Sequence, residues 1–460
     1  MSDDKKLSRR DFLRVAGAGA AALYLGNAFG QKRGSALAAN NIVKASPGYD
    51  FPKPMPIAKH IVHIYLDGGP SHIDMFDPKP DAGREYLGNY RNPIYTNVDD
   101  VMIGEKLPTL AKMADKYAII RSMKHDTFGH ETGHYYMTTG DMSKGELVYP
   151  SYTSVISYMK DKEYKGDLPL SVTLTEASTR FSESGFLGPR YKSFETGGQP
   201  DKENFTVEGI LNKSIKDDEL QRKKELLYGL NGLSEGIDHS TDVAKELAEY
   251  QARTYSLILG DSRYAFDLSK EPAKVRDKYG RTRFGQSCLA ARRLIENGVV
   301  SVTLRYTGWD THKQHFARMD ERLMDIDKGV SSLISELEER GLLDETIIVC
   351  GGEFGRTPKI MWEPPWNGGR GHYGRAFSYI VAGGGFEGGK VIGKTDNKAE
   401  NVIERPVYPA DLIASIYFLM GIDPYGTIPY QTGAVPMLPS YANPKTSNGI
   451  LKEIIPSIRA

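Results

Sequence analysis

The sequence predicts an α/β fold in which helices cover both faces of a mostly parallel sheet. Short apolar runs rich in β-branched and aromatic residues recur along the chain, and most end in glycine or polar residues. These predicted strands are residues 61–66, 117–123, 168–174, 299–306, 346–350 and 377–382. Helical patterns fall between them, for example at 107–116, 285–297 and 319–340. Because buried strands alternating with helices are typical of covered parallel sheets, we expect a three-layer sandwich.

The N-terminus predicts export. Arg9-Arg10-Asp11-Phe12-Leu13 is followed by a mild apolar run over 15–30, which is the order of a twin-arginine signal. The run is shorter than the roughly 20 apolar residues that a spanning helix needs. Ala36-Leu37-Ala38 offers a small-residue cleavage pattern. We therefore expect a signal peptide at 1–38, the twin-arginine translocase as partner, and a periplasmic or secreted mature protein without a membrane span. A plain basic amphipathic N-terminus is the alternative.

The remaining chain divides by composition. Residues 39–58 form a proline-rich lead-in, and 59–200 with 261–460 carry the alternating pattern of one α/β domain. Residues 201–260 are instead dense in lysine, glutamate and aspartate, with leucine at helical spacing. We interpret this segment as a helical insertion. A solvated helical hairpin without a functional role is the alternative.

Charge and cysteine content exclude several classes of protein. Lysine plus arginine and aspartate plus glutamate both number 59, so no global field favours nucleic acid or an anionic membrane surface. Cys288 and Cys350 both lie in apolar contexts, which favours buried core positions over a disulfide. The chain has no Cys-x-x-Cys pair, which argues against a thiolate zinc site.

The distribution of histidine is the main indication of function. In open α/β sheets, ligands bind beyond the carboxyl ends of the strands, and seven of the ten histidines follow predicted strands there. They are His72, His125, His130, His134, His312, His315 and His372. Imidazole together with carboxylate is a ligand set for zinc, manganese or iron. In many phosphatases and nucleases, two such metal ions side by side bind the ester between them. We expect one or two divalent ions, with zinc or manganese favoured and calcium as the alternative.

His130 and His134 are four residues apart in the sequence His-Glu-Thr-Gly-His. On a helix both side chains share one face, and the pattern is similar to the His-Glu-x-x-His motif of zinc proteases. Gly133 inside that segment and its position at a helix start argue against a protease.

The motifs around these histidines resemble a known family. They are Gly68-Gly69-Pro70-Ser71-His72, Phe76-Asp77-Pro78-Lys79-Pro80, Gly308-Trp309-Asp310-Thr311-His312, Glu353-Phe354-Gly355-Arg356-Thr357-Pro358 and Gly383-Gly384-Gly385. Together they are similar to domain-of-unknown-function family 1501, whose members are exported bacterial proteins. The resemblance covers nearly all of the mature chain. It implies an alkaline phosphatase-like, sulfatase-like fold with a helical insertion.

The resemblance also implies an order of site residues along the chain. In the superfamily an Asp after the first strand is followed by a nucleophile, an Asp-and-His group, an acidic pair and a late His. The positions that match this order are Asp67, the His130 region, Asp310 with His312, Glu353 and His372.

Two departures from the superfamily pattern affect the chemistry. Counting back ten residues from Gly140 gives His130, where sulfatases carry a Cys or Ser nucleophile, and His134 stands where they carry an Arg. Glu353-Phe354 stands where the superfamily has an Asp-His pair. His130 is therefore a candidate metal ligand, general acid or base, or nucleophile. We consider His130, His134 and the nearby hydroxyl of Ser71 as catalytic candidates.

These observations support two hypotheses. The first is metal-dependent hydrolysis of a phosphate or sulfate ester, on a small molecule or a glycan. Its candidate metal ligands are Asp310, His312, Glu353 and His372, with Asp67, His72 and Asp74 for a second ion. Arg356 and Arg370 could grip the anion bidentately, with plain surface charge as the alternative. The second hypothesis, motivated by the missing nucleophile, is a non-catalytic binding or assembly protein on a degenerate scaffold.

Overall fold

The structure is a computed structural model that describes residues 52–142, 147–175, 184–207, 260–431 and 433–456, with a few isolated positions between 208 and 259. The predicted signal peptide at 1–38, most of the lead-in at 39–58 and most of the predicted insertion at 201–260 lie outside the described residues. Within the described part of the chain, no helix combines the length and the apolar character needed to cross a membrane.

A central sheet organises the molecule. Across the described residues it has eight strands in the order β8-β2-β7-β6-β1-β5-β3-β4. In chain order they are β1 (His60–Leu66), β2 (Tyr117–Met123), β3 (Ser171–Leu174), β4 (Phe194–Glu195), β5 (Ser301–Tyr306), β6 (Thr346–Gly351), β7 (Phe377–Ala382) and β8 (Val391–Ile392). All neighbouring pairs are parallel except those of β7, which runs antiparallel to β2 and β6.

The predicted mostly parallel sheet is confirmed, and each of the six predicted strands belongs to it. The predicted runs at 168–174 and 299–306 begin two to three residues too early, since β3 starts at Ser171 and β5 at Ser301. The edge strands β4 and β8 were not predicted, because two residues carry no periodicity. The antiparallel direction of β7 was also not predicted, because burial on both faces leaves the same apolar pattern in either direction.

Helices cover both faces of the sheet. Among the described residues they are, in chain order, α1 (Arg84–Leu87), α2 (Pro108–Ala111), α3 (His130–Thr139), α4 (Tyr152–Lys160), α5 (Ala273–Lys278), α6 (Arg283–Glu296), α7 (His315–Glu339) and α8 (Pro409–Leu419). Val62 and Ile64 of β1 face a core shared with α6 and α7. Ile61, which precedes Val62, faces a second core shared with α4 and α8. This alternation along β1 confirms the three-layer sandwich.

The predicted helices are present with shifted ends. The pattern at 107–116 is divided into α2 and a 3₁₀ turn at Ala114–Lys116. Helix α6 begins at Arg283, where the Thr282 side chain accepts a hydrogen bond from the Gly285 amide. Cys288 and Cys350 are both free and buried in the first core, as their apolar contexts predicted.

Four short two-stranded ribbons complete the described structure. Gly355–Arg356 pairs with His372–Tyr373 in antiparallel fashion next to the central sheet. The other pairs are Ile94–Tyr95 with Met102–Ile103, Lys394–Thr395 with Val402–Glu404, and Thr427–Tyr430 with Gly433–Pro436.

The topology brings distant segments to one edge of the sheet. β1, β5 and β6 are adjacent and parallel, so the loops that follow them lie side by side. β2 is parallel to them, and the loop after it leads into α3. Because β7 runs in the opposite direction, the segment that precedes it reaches this same edge.

Candidate metal centre

Four side chains meet at this edge. Ligand atoms of His130, Asp310 and His372 all lie within 4.8 Å of one another. His312 joins them, with its Nε2 atom 2.9 Å from His372 Nε2 and 3.1 Å from Asp310 Oδ1. We call these four residues the His–Asp cluster. Their side chains are 22–43% exposed, so the cluster is open to a molecule from solvent.

Two glycines allow the elements that carry the cluster to approach closely. Gly68 has a φ of +116°, and a Cβ there would lie 2.3 Å from the Asp310 amide nitrogen. Gly133 lies in the first turn of α3, where a Cβ would lie 3.3 Å from the carbonyl oxygen of Glu353. Because neither glycine has a Cβ, β1 and α3 can pack against the backbone of the site loops.

Glu353 is fully buried and accepts hydrogen bonds from three elements. Its carboxylate accepts from the Tyr65 hydroxyl at 2.9 Å, the Gly68 amide at 2.9 Å and His130 Nδ1 at 2.6 Å. A carboxylate only accepts, so Nδ1 of His130 carries the hydrogen. The neutral ring therefore presents the Nε2 lone pair, which lies 3.4 Å from Asp310 Oδ2.

His372 is oriented in the same way by a backbone carbonyl. Its Nδ1 donates to the carbonyl oxygen of Phe128 at 2.6 Å, which leaves a lone pair on Nε2 in the neutral ring. That Nε2 atom faces Asp310 Oδ1 at 3.2 Å. The Phe354 ring stacks on the imidazole with the ring centroids 4.7 Å apart.

The cluster therefore brings several lone pairs together. The Nε2 atoms of neutral His130 and His372 and the carboxylate of Asp310 are all acceptors, and they would repel each other unless a proton or a cation lies between them. Without a cation a proton takes this place, because hydrogen bonds to Asp310 and Glu353 favour the doubly protonated ring and raise the pKa of His130 to about 9. Although burial acts against it, the neighbouring His130 and His372 imidazoles, which stabilise the carboxylate when protonated, and the charge of Arg356 hold the pKa of Asp310 well below its usual range. The donor set fits a divalent metal with nitrogen and oxygen ligands.

Arg356 and Arg370, the predicted anion-binding arginines, are fully buried. Arg356 donates to Asp310 and to three backbone carbonyls, among them Gly69 at 3.1 Å. Arg370 donates to Asp74 at 3.0 Å and to three carbonyls, including that of Tyr86 at 2.6 Å. Both guanidinium groups therefore hold the site loops together and present no free fork to a substrate.

Asp74 and Ser71 are both buried and lie outside the cluster. The Asp74 carboxylate pairs with His315 Nε2 at 2.8 Å and with Arg370 Nε at 2.9 Å. Burial alone would raise the pKa of Asp74, but Arg370 and the hydrogen bond from His315 lower it to about 2. Ser71 is 1% exposed, so its hydroxyl is not accessible to a substrate.

The remaining candidate ligands for a second metal ion also bind other partners. His72 donates from Nε2 to the carbonyl oxygen of Ala399 at 2.9 Å. The Asp67 carboxylate accepts from Arg305 Nε at 2.9 Å. Asp67, His72 and Asp74 are therefore not brought together as a ligand set.

His134 and His125 are buried in other surroundings. The His134 ring stacks on Tyr65 with the centroids 4.3 Å apart, and burial lowers the pKa of His134 to about 3. It lines a small cavity together with His63 and Arg305. His125 donates from Nε2 to the backbone carbonyl of Glu353 at 2.6 Å.

Sequence reasoning missed Tyr65 and Phe128, which hold the cluster from outside. A signal for Tyr65 exists, because a hydroxyl in a buried strand two residues before Asp67 needs a partner near the site. Phe128 acts through its carbonyl oxygen, which leaves no trace in the sequence.

The fold and the cluster together define an α/β sandwich protein with a histidine–carboxylate centre at the carboxyl edge of its sheet. The chain belongs to the family described as "Protein of unknown function (DUF1501)", whose family model matches residues 58–437. This confirms the resemblance inferred from the sequence motifs. No curated protein matches the chain.

Several solved structures are distantly similar to the chain. Ps i-CgsB, solved in complex with k-i-k-neocarrahexaose, is 12% identical with a TM-score of 0.39, over 86% of this chain and 77% of that one. The lipoteichoic acid synthase LtaP from Listeria monocytogenes is 10% identical with a TM-score of 0.38, over 86% and 78%. An alkaline phosphatase superfamily protein from Vibrio parahaemolyticus is 11% identical with a TM-score of 0.33, over 80% and 69%.

Proposed function

We propose that this protein is a metal-dependent hydrolase of phosphate or sulfate esters, with one divalent ion held by the His–Asp cluster. The observation that carries this proposal is the convergence of one ligand atom each from His130, His372 and Asp310 within 4.8 Å. A protein without a cation there would have to compensate the repulsion with extra protons on the imidazoles.

The donor set favours zinc or manganese over calcium. Two imidazole nitrogens and the Asp310 carboxylate match the three protein ligands of a catalytic zinc site, which keeps a further position open for water, whereas calcium prefers six to eight oxygen ligands. A single ion is proposed because Asp67, His72 and Asp74 have partners elsewhere. A bound divalent ion would polarise an ester oxygen and lower the pKa of a coordinated water to roughly 7.

The side chains around the cluster would serve as supports. Glu353 would fix the orientation of His130 with Nε2 towards the ion, as outer carboxylates do for metal-bound histidines. Arg356 would hold Asp310 in place from the buried side. In the overall reaction, water adds its oxygen to phosphorus or sulfur, the bond to the ester oxygen breaks, and the alcohol leaves with a proton from water.

Metal analysis and ester assays on the exported protein test the proposal. We expect about one zinc or manganese ion per chain by mass spectrometry and turnover of p-nitrophenyl phosphate or p-nitrophenyl sulfate. His372→Ala should remove the ion and reduce turnover by about a hundredfold or more.

His60→Gln is the matched control. His60 is the first residue of β1, at the opposite end of that strand from the site, where its Nδ1 bonds the carbonyl oxygen of Val299 at 2.8 Å. This variant should keep metal and activity. A wild-type protein that binds no stoichiometric metal and hydrolyses no ester would contradict the proposal.

A non-catalytic binding or assembly role is the second candidate function. It is favoured by His130 at the position where sulfatases carry a nucleophile. Under this function His130→Ala and Glu353→Ala would leave the cellular phenotype intact, whereas changes within residues 201–260 would abolish it. The opposite pattern would exclude it.

We also propose twin-arginine export, on the basis of Arg9-Arg10 and the apolar run that follows. Changing both arginines to lysine should leave uncleaved precursor in the cytoplasm, detected by fractionation and immunoblotting. Changing Lys5 and Lys6 to glutamine should leave export intact, since these lysines precede the motif. Normal export of the double-lysine variant would contradict this route.

A further inference from the structure

One fully buried phenyl ring lies outside the apolar cores of the described structure. Phe354 is 0% exposed, yet it belongs to none of the groups of packed apolar side chains that the described residues form around the sheet. It directly follows Glu353, the buried carboxylate beside the His–Asp cluster. Burial in a core would satisfy a phenyl ring equally well, so its position next to the cluster needs another explanation.

The neighbours of this ring are the two imidazoles that, with Asp310, form the candidate metal site. The ring centroid of His372 is 4.7 Å from that of Phe354, with 30° between the planes, and the centroid of His130 is 5.1 Å away, with 41°. The two imidazole centroids are themselves 4.3 Å apart. The three rings therefore form one packed group, which includes both nitrogen ligands of the proposed metal.

Two glycines fix the position of the phenyl ring. At Gly69, where φ is +81°, a Cβ would lie 2.6 Å from Cδ2 of Phe354, and at Gly133 in α3 a Cβ would lie 3.3 Å from Cδ1. The backbone of the loop after β1 and that of α3 therefore lie close to the two sides of the ring. Since a tilt would bring the ring into one backbone or the other, it offers the imidazoles a fixed surface.

A hydrogen bond at Nδ1 does not by itself fix the orientation of a histidine ring, because the χ2 torsion of histidine is broad. His130 and His372 each bond one acceptor through Nδ1, which is Glu353 for the first and the carbonyl oxygen of Phe128 for the second. Contact with the phenyl ring removes the remaining freedom of χ2. Because this contact covers the face of an imidazole and not its edge, each Nε2 atom stays directed at Asp310.

We infer that Phe354 is a positioning residue of the metal site, which holds the imidazoles of His130 and His372 with both Nε2 atoms directed at one ion. This inference rests on the proposed function, because it takes the two histidines as ligands of that ion. Groups that are already in their binding geometry lose less conformational freedom when the ion binds. Loss of the planar ring should therefore weaken metal binding and change the coordination geometry while the fold is retained.

Cobalt(II) and zinc binding to Phe354→Leu test the inference. Leucine keeps an apolar side chain but has no flat face for the imidazoles. Cobalt(II) absorbs visible light strongly with four ligands and weakly with six, so we expect strong bands in the wild type and clearly weaker bands in Phe354→Leu. Zinc affinity should fall by about ten- to a hundredfold, as it does when other supports of metal ligands are removed. Phe354→Tyr, which keeps a planar ring, should restore most of both properties.

Phe266→Leu is the matched control. Phe266 is 1% exposed and lies in the first core, where its ring meets that of Phe194 edge-on with the centroids 6.2 Å apart. Both leucine variants remove a buried phenyl ring, so both should lower the midpoint of urea unfolding. Only Phe354→Leu should change the cobalt spectrum and the zinc affinity. Wild-type metal binding in Phe354→Leu, or equal changes in both variants, would overturn the inference.

Proton NMR of the metal-free protein separates this inference from the proposed function. The Nδ1 hydrogens of His130 and His372 lie in hydrogen bonds of 2.6 Å, so both should give downfield signals that exchange slowly with water. These signals should broaden or vanish in Phe354→Leu and persist in Phe266→Leu. If the wild type binds no metal but shows this difference, the proposed hydrolysis fails and the positioning of the imidazoles stands. If the wild type binds metal and hydrolyses esters but the signals are unchanged in Phe354→Leu, the positioning role fails and the proposed function stands.

Discussion

At the scale of single residues, Glu353 shows how identity and role can differ. The motif around it led to the expectation of a metal ligand. In the structure both oxygens are occupied by Tyr65, Gly68 and His130. These contacts suit a carboxylate that orients a ligand and stays outside the coordination sphere.

Glu353→Gln tests this orienting role. The amide oxygen can still accept from His130, but the negative charge that strengthens the imidazole as a ligand is lost. We expect zinc affinity to fall by about ten- to a hundredfold with unchanged stoichiometry, measured by competition with a chromophoric chelator. Glu345→Gln, which removes the charge of Glu345 from its partly exposed pair with Lys59 before β6, should bind zinc as wild type. Loss of the stoichiometric ion itself would show that Glu353 is a direct ligand.

Asp74 illustrates a buried carboxylate that serves stability. Its pKa is about 2 in the folded protein, below the ordinary value of 3.8. A carboxyl group with a depressed pKa stabilises the fold above the unfolded pKa, and this contribution is lost as pH falls from about 4 to 2. Since a tenfold change in proton affinity corresponds to roughly 1.4 kcal/mol, the ionised Asp74 carboxylate contributes on the order of 2 kcal/mol to the free energy of unfolding at neutral pH.

Asp74→Asn should therefore flatten the acid dependence of stability. At pH 7 we expect it to cost about 3–5 kcal/mol, because Arg370 is left buried without its charge partner. Urea unfolding at pH 7, 4.5, 3.5 and 2.5 would measure both effects. Asp99→Asn, at an exposed position, should keep the wild-type dependence. If the free energy of unfolding of Asp74→Asn depends on pH as steeply as that of the wild type, the acid sensitivity belongs to other groups.

Single site residues could be predicted from the sequence only where their position after a strand was informative. Position after a predicted strand placed His130, Asp310, His312 and His372 at one edge, and the structure brings them together. The same rule placed Asp74 there too. Its partners, Arg370 and His315, come from segments more than 200 residues away, so no local pattern could separate it from the cluster.

At the scale of elements, the connection from β1 to the site depends on Gly68. Its amide donates to Glu353 and its carbonyl oxygen accepts from Arg356. Any side chain at this position would collide with the backbone of Asp310. The end of β1 thereby sets the position of a cluster residue that follows β5.

Gly68→Ala should disturb both stability and metal binding. The left-handed φ costs about 1 kcal/mol for alanine, and the overlap with Asp310 adds roughly 1–3 kcal/mol more. Gly83→Ala is a matched control, because its φ is +87° and nothing lies within 4 Å of an added Cβ. Urea unfolding of both variants separates strain from overlap. If both variants lose the same free energy of unfolding and Gly68→Ala keeps its zinc affinity, the close contact between Gly68 and the Asp310 backbone would be contradicted.

Element positions were predictable where the apolar runs were long enough. β1, β2 and β7 were found within one residue at either end, because a buried strand needs a continuous apolar run. The direction of β7 depends on the segment before it, including the ribbon of Gly355–Arg356 with His372–Tyr373. That ribbon is two residues long and carries no periodic signal.

At the scale of the whole molecule, the His–Asp cluster joins segments far apart in the chain. His130 begins α3, Asp310 and His312 follow β5, and His372 precedes β7. In the unfolded chain these residues are separated by long loops, so they cannot bind one ion as a set. A metal held by the cluster therefore favours the folded state alone.

This linkage predicts the response of thermal stability to metal. At a free zinc concentration about a hundred times Kd, binding stabilises the fold by about 2.7 kcal/mol, which corresponds to a rise in Tm of a few degrees for a chain of this size. Differential scanning calorimetry with zinc and after chelation measures the shift. In His372→Ala the shift should vanish, because the lone pair opposite Asp310 is gone, whereas His60→Gln should keep it. An equal shift in His372→Ala would place the stabilising ion outside the cluster, and zinc-dependent stability would then no longer support a catalytic metal at this edge of the sheet.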